Sequence, residues 1–396
     1  MSDPEPHPVA DLHTVMWPRP NLQARALLAT AGLELSFNAR GALLTAFNEL
    51  RVSARTPGAP TILVPAYHCP SAITPAIMAG LEPVFYRIRL DLSIDWDDVA
   101  TKTTVRTTAM LVIHFFGVAP DLAPAAAART QGLRIVEDCS HAFVSVNPLR
   151  LAGDGQSDYR IFSFWKLAPS GVGGGLIRAA SSAARPVKSR PLAPLKASLR
   201  NYKLLIEEAL QKGSASRLRS GYEALERARL ALRPRALQTV AAPPSLEHGE
   251  TYYPVHPALA RAAMPSHVRR IIEASDMAAI ALRRRANFAR YQDRLGLLAP
   301  MTALIPQLPE DTCPWVYPVL LPRRDDLDRK LRGAGMALHT FGIYLHSRLF
   351  ETADAATVED ARLLAQQTLC IAIHQGITPD DIDRGCAAAQ RILRAC

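Results

Sequence analysis

No uninterrupted apolar stretch of this 396-residue chain is long enough to cross a bilayer, since a helical span needs roughly 20 apolar residues. The opening residues MSDPEPHPVADLHTVMWPRP are acidic and proline-rich and lack the apolar centre of a secretory leader. Cysteine is sparse: six residues, at 69, 139, 313, 370, 386 and 396, form no Cys-x-x-Cys pair and no metal-type spacing. A zinc site is therefore not expected, and reduced thiols in the cytoplasm are. Low-complexity blocks are missing too, as is any nucleic-acid recognition motif or aromatic platform, so nucleic acid is not an expected partner.

What remains is the composition of a globular protein, 48% hydrophobic and 21% charged. Its length exceeds a single typical core and favours two domains. The net charge of +10 is unevenly placed. Between Ala183 and Ala236 there are four Lys and nine Arg against four Glu, a local balance of +9. Within that stretch Leu199, Tyr202, Leu205, Ile206, Ala209 and Leu210 are spaced for one helix face, and Tyr222, Leu225, Leu230 and Leu232 suggest a second helix. Such a basic pair can be a solvated face, cover an active site, attract substrate phosphates, or rest as a peripheral contact on an anionic membrane.

The chemistry concentrates in SDYRIFSFWKLAPSGVGGGLIRA, Ser157 to Ala179. Lys166 stands between the apolar run Ile161 to Trp165 and the glycines 171, 173, 174 and 175. Most loop lysines are simply solvated. One set among Phe162, Phe164, Trp165 and Leu167 is partly desolvated, which disfavours its ammonium form and frees the amine as a nucleophile. Schiff-base chemistry requires that.

Upstream, SFNARGALLTAFNEL reads as a turn into a helix capped by Ser36 or Asn38, with Leu43, Leu44, Phe47 and Leu50 on its apolar face. Such an amino terminus is an ordinary capped helix or a phosphate site. Strands are expected at Thr61 to Val64, Pro83 to Ile88 and Leu133 to Val136, alternating with helices. That order argues a parallel sheet with ligands at the carboxyl ends of its strands. Asp138 falls at such an end, as a helix cap, an ion-pair partner or a cofactor anchor, and His141 lies three residues on. His114 and Gly117, in VIHFFG, read as packing and chain reversal.

After Pro234 to Pro244, a proline-rich join, VRRIIEASDMAAIALRRRANFARYQDRL reads as one long amphipathic helix. CPWVYPVLL follows as a strand with proline ends, and Thr378 can cap a helix whose first turn holds Asp380 and Asp381.

Taken together, Ser163-Phe164 before Lys166, Gly171 to Gly174 after it, Asp138-x-x-His141, Val112-His114-Gly117 and a close at His374-x-Gly376-x-Thr378 resemble the DegT family of pyridoxal-phosphate-dependent sugar aminotransferases. The resemblance covers most of 37–179 and 268–393. It departs from the family in a shortened Ser-Phe to Lys spacing, which a branch with a compact Ser-x-x-Lys arrangement shares, and in Val172, which stands where an acid is usual. The aromatic that covers the pyridine ring would align at Cys69, leaving Tyr67, His68 or Cys69 to cover it. No asparagine in TYYPVHPALARAAM matches the family's Asn-aromatic-Arg stretch, and intersubunit phosphate contact is accordingly not expected.

The resemblance implies a fold-type-I α/β protein: a large, mostly parallel mixed-sheet domain flanked by helices, and a smaller carboxyl-terminal α+β domain. The expected divisions are a tail at 1–30, a pyridoxal-phosphate domain at 31–182, a basic helical insertion at 183–240 and the small domain at 241–396. It further implies that Lys166 carries the cofactor as a Schiff base and that Asp138 protonates the pyridine nitrogen. His141 would lie near the ring hydroxyl, Ala39, Arg40 and Ser163 would hold the phosphate, and Cys69 would lie on the ring. The implied activity moves an amino group from an amino acid, glutamate, to a nucleotide-linked keto sugar, as in polysaccharide or antibiotic biosynthesis, in a cytoplasmic homodimer. Dehydratase relatives carry histidine in place of the lysine, so Lys166 argues against that chemistry. An aminotransferase acting on a cyclic ketone, of aminocyclitol or aminobenzoate type, and a cofactor-free binding protein are the alternatives.

Overall fold

The computed structural model describes residues 7–130, 132–153, 155–179, 190–212, 221, 224, 245–251, 253–296 and 298–394. Its centre is a seven-stranded sheet made of β1 (Glu34–Ser36), β2 (Thr61–Pro65), β3 (Glu82–Tyr86), β4 (Thr107–Ile113), β5 (Arg134–Asp138), β8 (Tyr159–Ser163) and β9 (Gly174–Arg178). The hairpin β6 (Val144–Val146) and β7 (Leu149–Leu151) forms a separate two-stranded ribbon. In the large sheet the order is β1-β9-β8-β5-β4-β2-β3. Strands β3, β2, β4, β5 and β8 run parallel, and β9 and β1 add antiparallel pairings at one side. The sheet is mostly parallel, as expected. Every residue of β2 is buried, as an inner strand covered on both faces requires.

A second sheet is antiparallel and comes from later in the chain: β10 (Thr302–Ala303), β11 (Val316–Leu320), β12 (Leu338–His339) and β13 (Thr368–Ala372), in the order β10-β11-β13-β12. Pro318 lies inside β11, opposite Cys370, whereas the sequence placed prolines only at its ends. One hydrophobic cluster runs through both sheets, from Phe47, Ile62 and Leu111 to Val319, Leu369 and Ile371. The two sheets thus share a core.

Helices cover the large sheet. The first are α1 (Leu12–Met16), α2 (Leu22–Leu28), α3 (Ala39–Ser53), α4 (Pro70–Met78), α5 (Trp96–Lys102) and α6 (Ala126–Thr130). Asn38 rather than Ser36 caps α3: its Oδ1 accepts from the Gly41 N–H at 2.9 Å, while Ser36 ends β1. Leu43, Leu44, Phe47 and Leu50 face the core as their spacing requires.

The long helix expected over 268–295 is two helices, Ser266–Glu273 and Met277–Leu295. Asp276 accepts from the Ala279 N–H at 3.0 Å, and this side-chain cap starts a new helix where hydrophobic periodicity alone would have continued the old one. In the basic region α7 spans Leu195–Lys212. Leu205 and Ala209 pack with Ala10, Val15 and Ile271. Leu199, assigned by spacing to the buried face, is 58% exposed instead, because the packed face is centred on Asn201, Leu205 and Ala209. The second basic helix and the Pro234 to Pro244 join lie outside the described residues.

Candidate active site

Parallel pairing brings the carboxyl ends of β4, β5 and β8 side by side, with Ile113 opposite Asp138 and Asp138 opposite Ile161. At such an edge the outgoing loops separate and leave a crevice. Here it is a cavity of about 310 Å³. The large sheet contributes Ile113, Asp138, Ser140, His141, Ser163, Trp165 and Lys166 to its walls, and the amino termini of α3 and α4 add Asn38, Ala39, Arg40, Cys69 and Ser71. The later part of the chain closes it with Tyr253, Trp315 and the run His339 to Gly342. All seven residues singled out in the sequence, Ala39, Arg40, Cys69, Asp138, His141, Ser163 and Lys166, line this one space.

The turn bearing Lys166 follows directly from β8. Phe164 is fully buried, with the Phe143 ring edge-on at 4.7 Å, and so anchors the short 3-10 turn Phe164–Lys166. Trp165 and Lys166, next in the chain, are left toward the cavity. The glycines behind them serve the same construction. A Cβ on Gly174 would lie 2.3 Å from the Asn38 carbonyl carbon and 2.4 Å from the Ala39 nitrogen. Only glycine therefore lets β9 pass against the first turn of α3. Gly173, at φ +122°, accepts from the Phe164 N–H and donates to the Phe37 carbonyl. The lysine turn and the α3 amino terminus are thereby tied to one strand.

The Lys166 amine lies 4.6 Å from the centre of the Trp315 ring. Burial pushes its pKa down to about 8, against the pull of the Asp138 carboxylate and, less strongly, of Cys69 and Cys370. Asp138 is held by the Ser140 N–H, which donates to Oδ1 at 2.9 Å, and by the His114 N–H, which donates to its main-chain oxygen at 3.1 Å. His141 receives the Phe116 N–H on Nδ1 at 3.2 Å, so its neutral ring carries the proton on Nε2. Burial first, then the charge of Lys166, holds its pKa well below the ordinary value of 6.5. The ring stacks on Trp315 at 4.1 Å and meets the edge of Phe341 at 4.6 Å.

Arg40 Nη1 donates to the Pro254 carbonyl at 2.9 Å, which leaves further N–H groups of the fork for an anion. Cys69 is the N-cap of α4, its sulfur 3.0 Å from Ser71 Oγ. Tyr67 and His68 are not cavity residues. Tyr67 is fully buried and donates to the Phe341 carbonyl at 3.0 Å. His68 Nδ1 faces the Pro65 and Ala66 carbonyls at 3.0 and 2.8 Å, and its Nε2 accepts from the His346 N–H. Of the three candidates to cover a ring, only Cys69 reaches the space.

Sequence reasoning missed the wall built by the later part of the chain. Trp315 precedes β11, and His339 ends β12 with its ring edge-on to Trp315 at 4.6 Å. Neither has a local signal beyond an aromatic at the margin of a short strand. Arg284 was missed as well. It is fully buried in helix Met277–Leu295 and donates to the Trp315 carbonyl at 2.8 Å and the Lys166 carbonyl at 2.9 Å, joining the two sides of the cavity. Among the described residues one group could offer metal ligands, His114, Glu137 and Cys139, all buried. The hydrogen bond of His114 Nε2 to Glu137 at 2.7 Å and its contact with Cys139 at 3.7 Å account for that grouping as packing beneath the strand ends.

The donor set fits pyridoxal phosphate. A desolvated amine, a carboxylate at a strand end and a first helical turn with open N–H groups surround one space of suitable size.

Residues 35–183, less than half of the chain, match the model of the DegT/DnrJ/EryC1/StrS aminotransferase family. Similar curated proteins include the dTDP-3-amino-3,4,6-trideoxy-alpha-D-glucose transaminase of Micromonospora megalomicea subsp. nigra, 35% identical over 114 residues, 28% of this chain and 30% of that protein. The GDP-perosamine synthase of Vibrio cholerae is 30% identical over 118 residues, 28% of this chain and 32% of that protein. The aligned part spans about a third of the length of these relatives. The fold is shared over the whole chain. The aminotransferase TlmJ from Streptoalloteichus hindustanus superimposes with a TM-score of 0.65 at 19% identity, covering 100% of this chain and 99% of that one. The pyridoxal-phosphate form of Spr1654 from Streptococcus pneumoniae gives 0.67 at 14% identity, covering 100% and 99%.

Proposed function

We propose, from the family match over 35–183 and the cavity at its centre, that this chain is a pyridoxal-phosphate-dependent aminotransferase. In this reading it moves an amino group from an amino acid, glutamate, to a nucleotide-linked keto sugar. One observation carries the reading: the Lys166 amine, the Asp138 carboxylate and the amino terminus of α3 converge on a single cavity, with the amine's pKa lowered to about 8.

When bound, the cofactor supplies an aldehyde that accepts amines and a ring that draws electron density from the neighbouring carbon. The chain's own groups do the rest. Lys166, neutral in an appreciable fraction near pH 8, would hold the cofactor through its amine and, when released, would be the base that moves a proton. Asp138 would supply the counter-charge to the cofactor's ring nitrogen. His141, neutral with Nε2–H as donor, would serve its ring hydroxyl. The first N–H groups of α3, with Arg40 and Ser163, would hold the phosphate. Cys69 would cover the ring in place of an aromatic.

The remaining wall, Trp165, Tyr253, Trp315, His339 and Phe341, carries no fixed charge. Burial keeps His339 well below its ordinary pKa and therefore neutral. A neutral keto ring suits that wall, its apolar face laid on aromatic surface. The same feature keeps the cyclic-ketone aminotransferase as a second reading. The reading also expects a homodimer acting in the cytoplasm, with the lysine and phosphate groups in the 31–182 domain and the aromatic wall largely in the 241–396 domain.

The test is the visible spectrum of the purified protein with pyridoxal phosphate, before and after glutamate, beside Lys166→Ala. A Schiff-base band that glutamate bleaches, and that the variant does not form, supports the reading. A parent protein with no band refutes it.

A further inference from the structure

The amino-terminal half of α7 carries two parallel rows. Leu195, Leu199 and Tyr202 recur at i, i+4 and i+7, and Lys196, Arg200 and Lys203 repeat that spacing one residue later, about 100° around the helix. The inner face of the helix is occupied, since Leu205 and Ala209 pack with Val15 of α1. Among the described residues nothing packs on the outer face. Leu195 is 73% and Leu199 58% exposed, and Leu192, just ahead of the helix, is 90% exposed. The apolar row continues onto the neighbouring helix end: the Tyr202 hydroxyl contacts the Met16 sulfur at 3.4 Å, and Trp17, the next residue, is 64% exposed. Single exposed leucines are ordinary, but Trp17, Leu192, Leu195 and Leu199 exposed together are not.

We propose that this face, with Trp17, Leu195 and Leu199 as its apolar contact and Lys196 and Arg200 as its basic rim, docks reversibly on a membrane surface rich in anionic phospholipid. The inference is independent of the reaction proposed above.

The charge pattern decides the partner. Residues 195–203 contain three basic residues and no acid. The acids of the helix, Glu207 and Glu208, come a turn later and are half-buried, and Glu207 pairs with Lys203. A second copy of the chain meeting this face would bring another Lys196 and Arg200 to the contact with no acid in 195–203 to pair them. Nucleic acid would satisfy the cations but has no use for a row of aliphatic leucines. An anionic bilayer satisfies both, with leucine and tryptophan side chains at the acyl boundary and lysine and arginine among the head groups. No helix among the described residues is long and apolar enough to cross a membrane, so the contact is peripheral.

The experiment is co-sedimentation of the full chain with vesicles of phosphatidylcholine alone, and of phosphatidylcholine with an equal part of phosphatidylglycerol. The parent should sediment with the anionic vesicles, remain in solution with the neutral ones, and be released by high salt. Near such a surface each basic residue contributes roughly a fivefold factor, so Lys196→Gln with Arg200→Gln should lower the partition by roughly 25-fold. Leu195→Glu with Leu199→Glu should abolish it. All four side chains are exposed, so both variants fold, and circular dichroism identical to the parent's confirms it. A parent indifferent to anionic vesicles overturns the proposal, and so does a leucine variant that sediments as the parent does. Loss of a dimer in the leucine variant while the parent ignores lipid would assign the face to a second copy. A parent that retards single-stranded DNA but not vesicles would assign it to nucleic acid.

Discussion

Replacing Asp138 by Asn probes the electrostatics on which the proposed chemistry depends, and it does so without cofactor or substrate. In the free protein Lys166 titrates near pH 8 instead of its ordinary 10.5, because burial disfavours the ammonium form more than Asp138 favours it. At pH 7 about one amine in ten is then neutral, against roughly three in ten thousand for an ordinary lysine, a difference of about 300-fold in available nucleophile. Of the charges that hold the pKa up, Asp138 is the foremost. Asp138→Asn removes that charge at nearly unchanged size, so the midpoint of Lys166 should fall below 8. The assay is acetylation of Lys166 by acetic anhydride across pH 6 to 11, quantified on its peptide by mass spectrometry with an exposed lysine such as Lys196 as internal standard. The midpoint is the readout, because access scales the rate without moving it. The sign of the linked stability is also fixed. Between pH 8 and the unfolded value of 10.5 the unfolded chain binds more protons, so this group makes folding more favourable as pH rises through that window, and below it the burial cost is fully present. A parent midpoint at the ordinary lysine value, or an Asp138→Asn midpoint above the parent's, would refute the reasoning.

Three further substitutions test the framework. Gly174→Ala drives a Cβ into the backbone of Asn38 and Ala39, which no rotamer change relieves. It should cost about 3 kcal/mol or more in urea unfolding and weaken pyridoxal-phosphate binding, whereas Gly333→Ala, with open space around it, should be neutral or mildly stabilising. Asn38→Ala removes the cap of α3 and should cost about 1 kcal/mol, with a larger loss in phosphate affinity than in stability, read by titrating the cofactor band. Arg284→Met leaves the buried Lys166 and Trp315 carbonyls without their donor and should cost about 3 kcal/mol by thermal or urea unfolding. A variant as stable as the parent would show that those carbonyls find other donors.

Much of the site was legible because its first half is local. Asp138 ends a β-branched run and Lys166 follows another, so alternation of strand and helix brings both to the same edge once the strands pair in parallel. The capped start of α3 was legible for the same reason, although the choice of Asn38 over Ser36 needed the pairing of Ser36 with Gly174. The purpose of the glycine cluster was not legible as physics. The crowding that forbids a side chain at Gly174 comes from residues more than a hundred positions away. Periodicity also misled twice. It ran through Asp276, whose side-chain cap divides one amphipathic pattern into two helices, and it assigned Leu199 to a buried face that the arrangement of α1 and α7 leaves open.

The sequence by itself determined the mostly parallel sheet and the placing of Asp138 and Lys166 at the ends of its strands, because the period and punctuation of those elements are written locally, while Ala39, Arg40, Cys69, His141 and Ser163 were singled out through the resemblance of their motifs to the family. Only the tertiary structure decided what surrounds them. It set Trp315 over the Lys166 amine, drew His141 against that ring, brought His339 and Phe341 edge-on to it and tied the halves together through Arg284. Those contacts join residues far apart in the chain, and they exist because two sheets share one core, a property that no window of sequence contains.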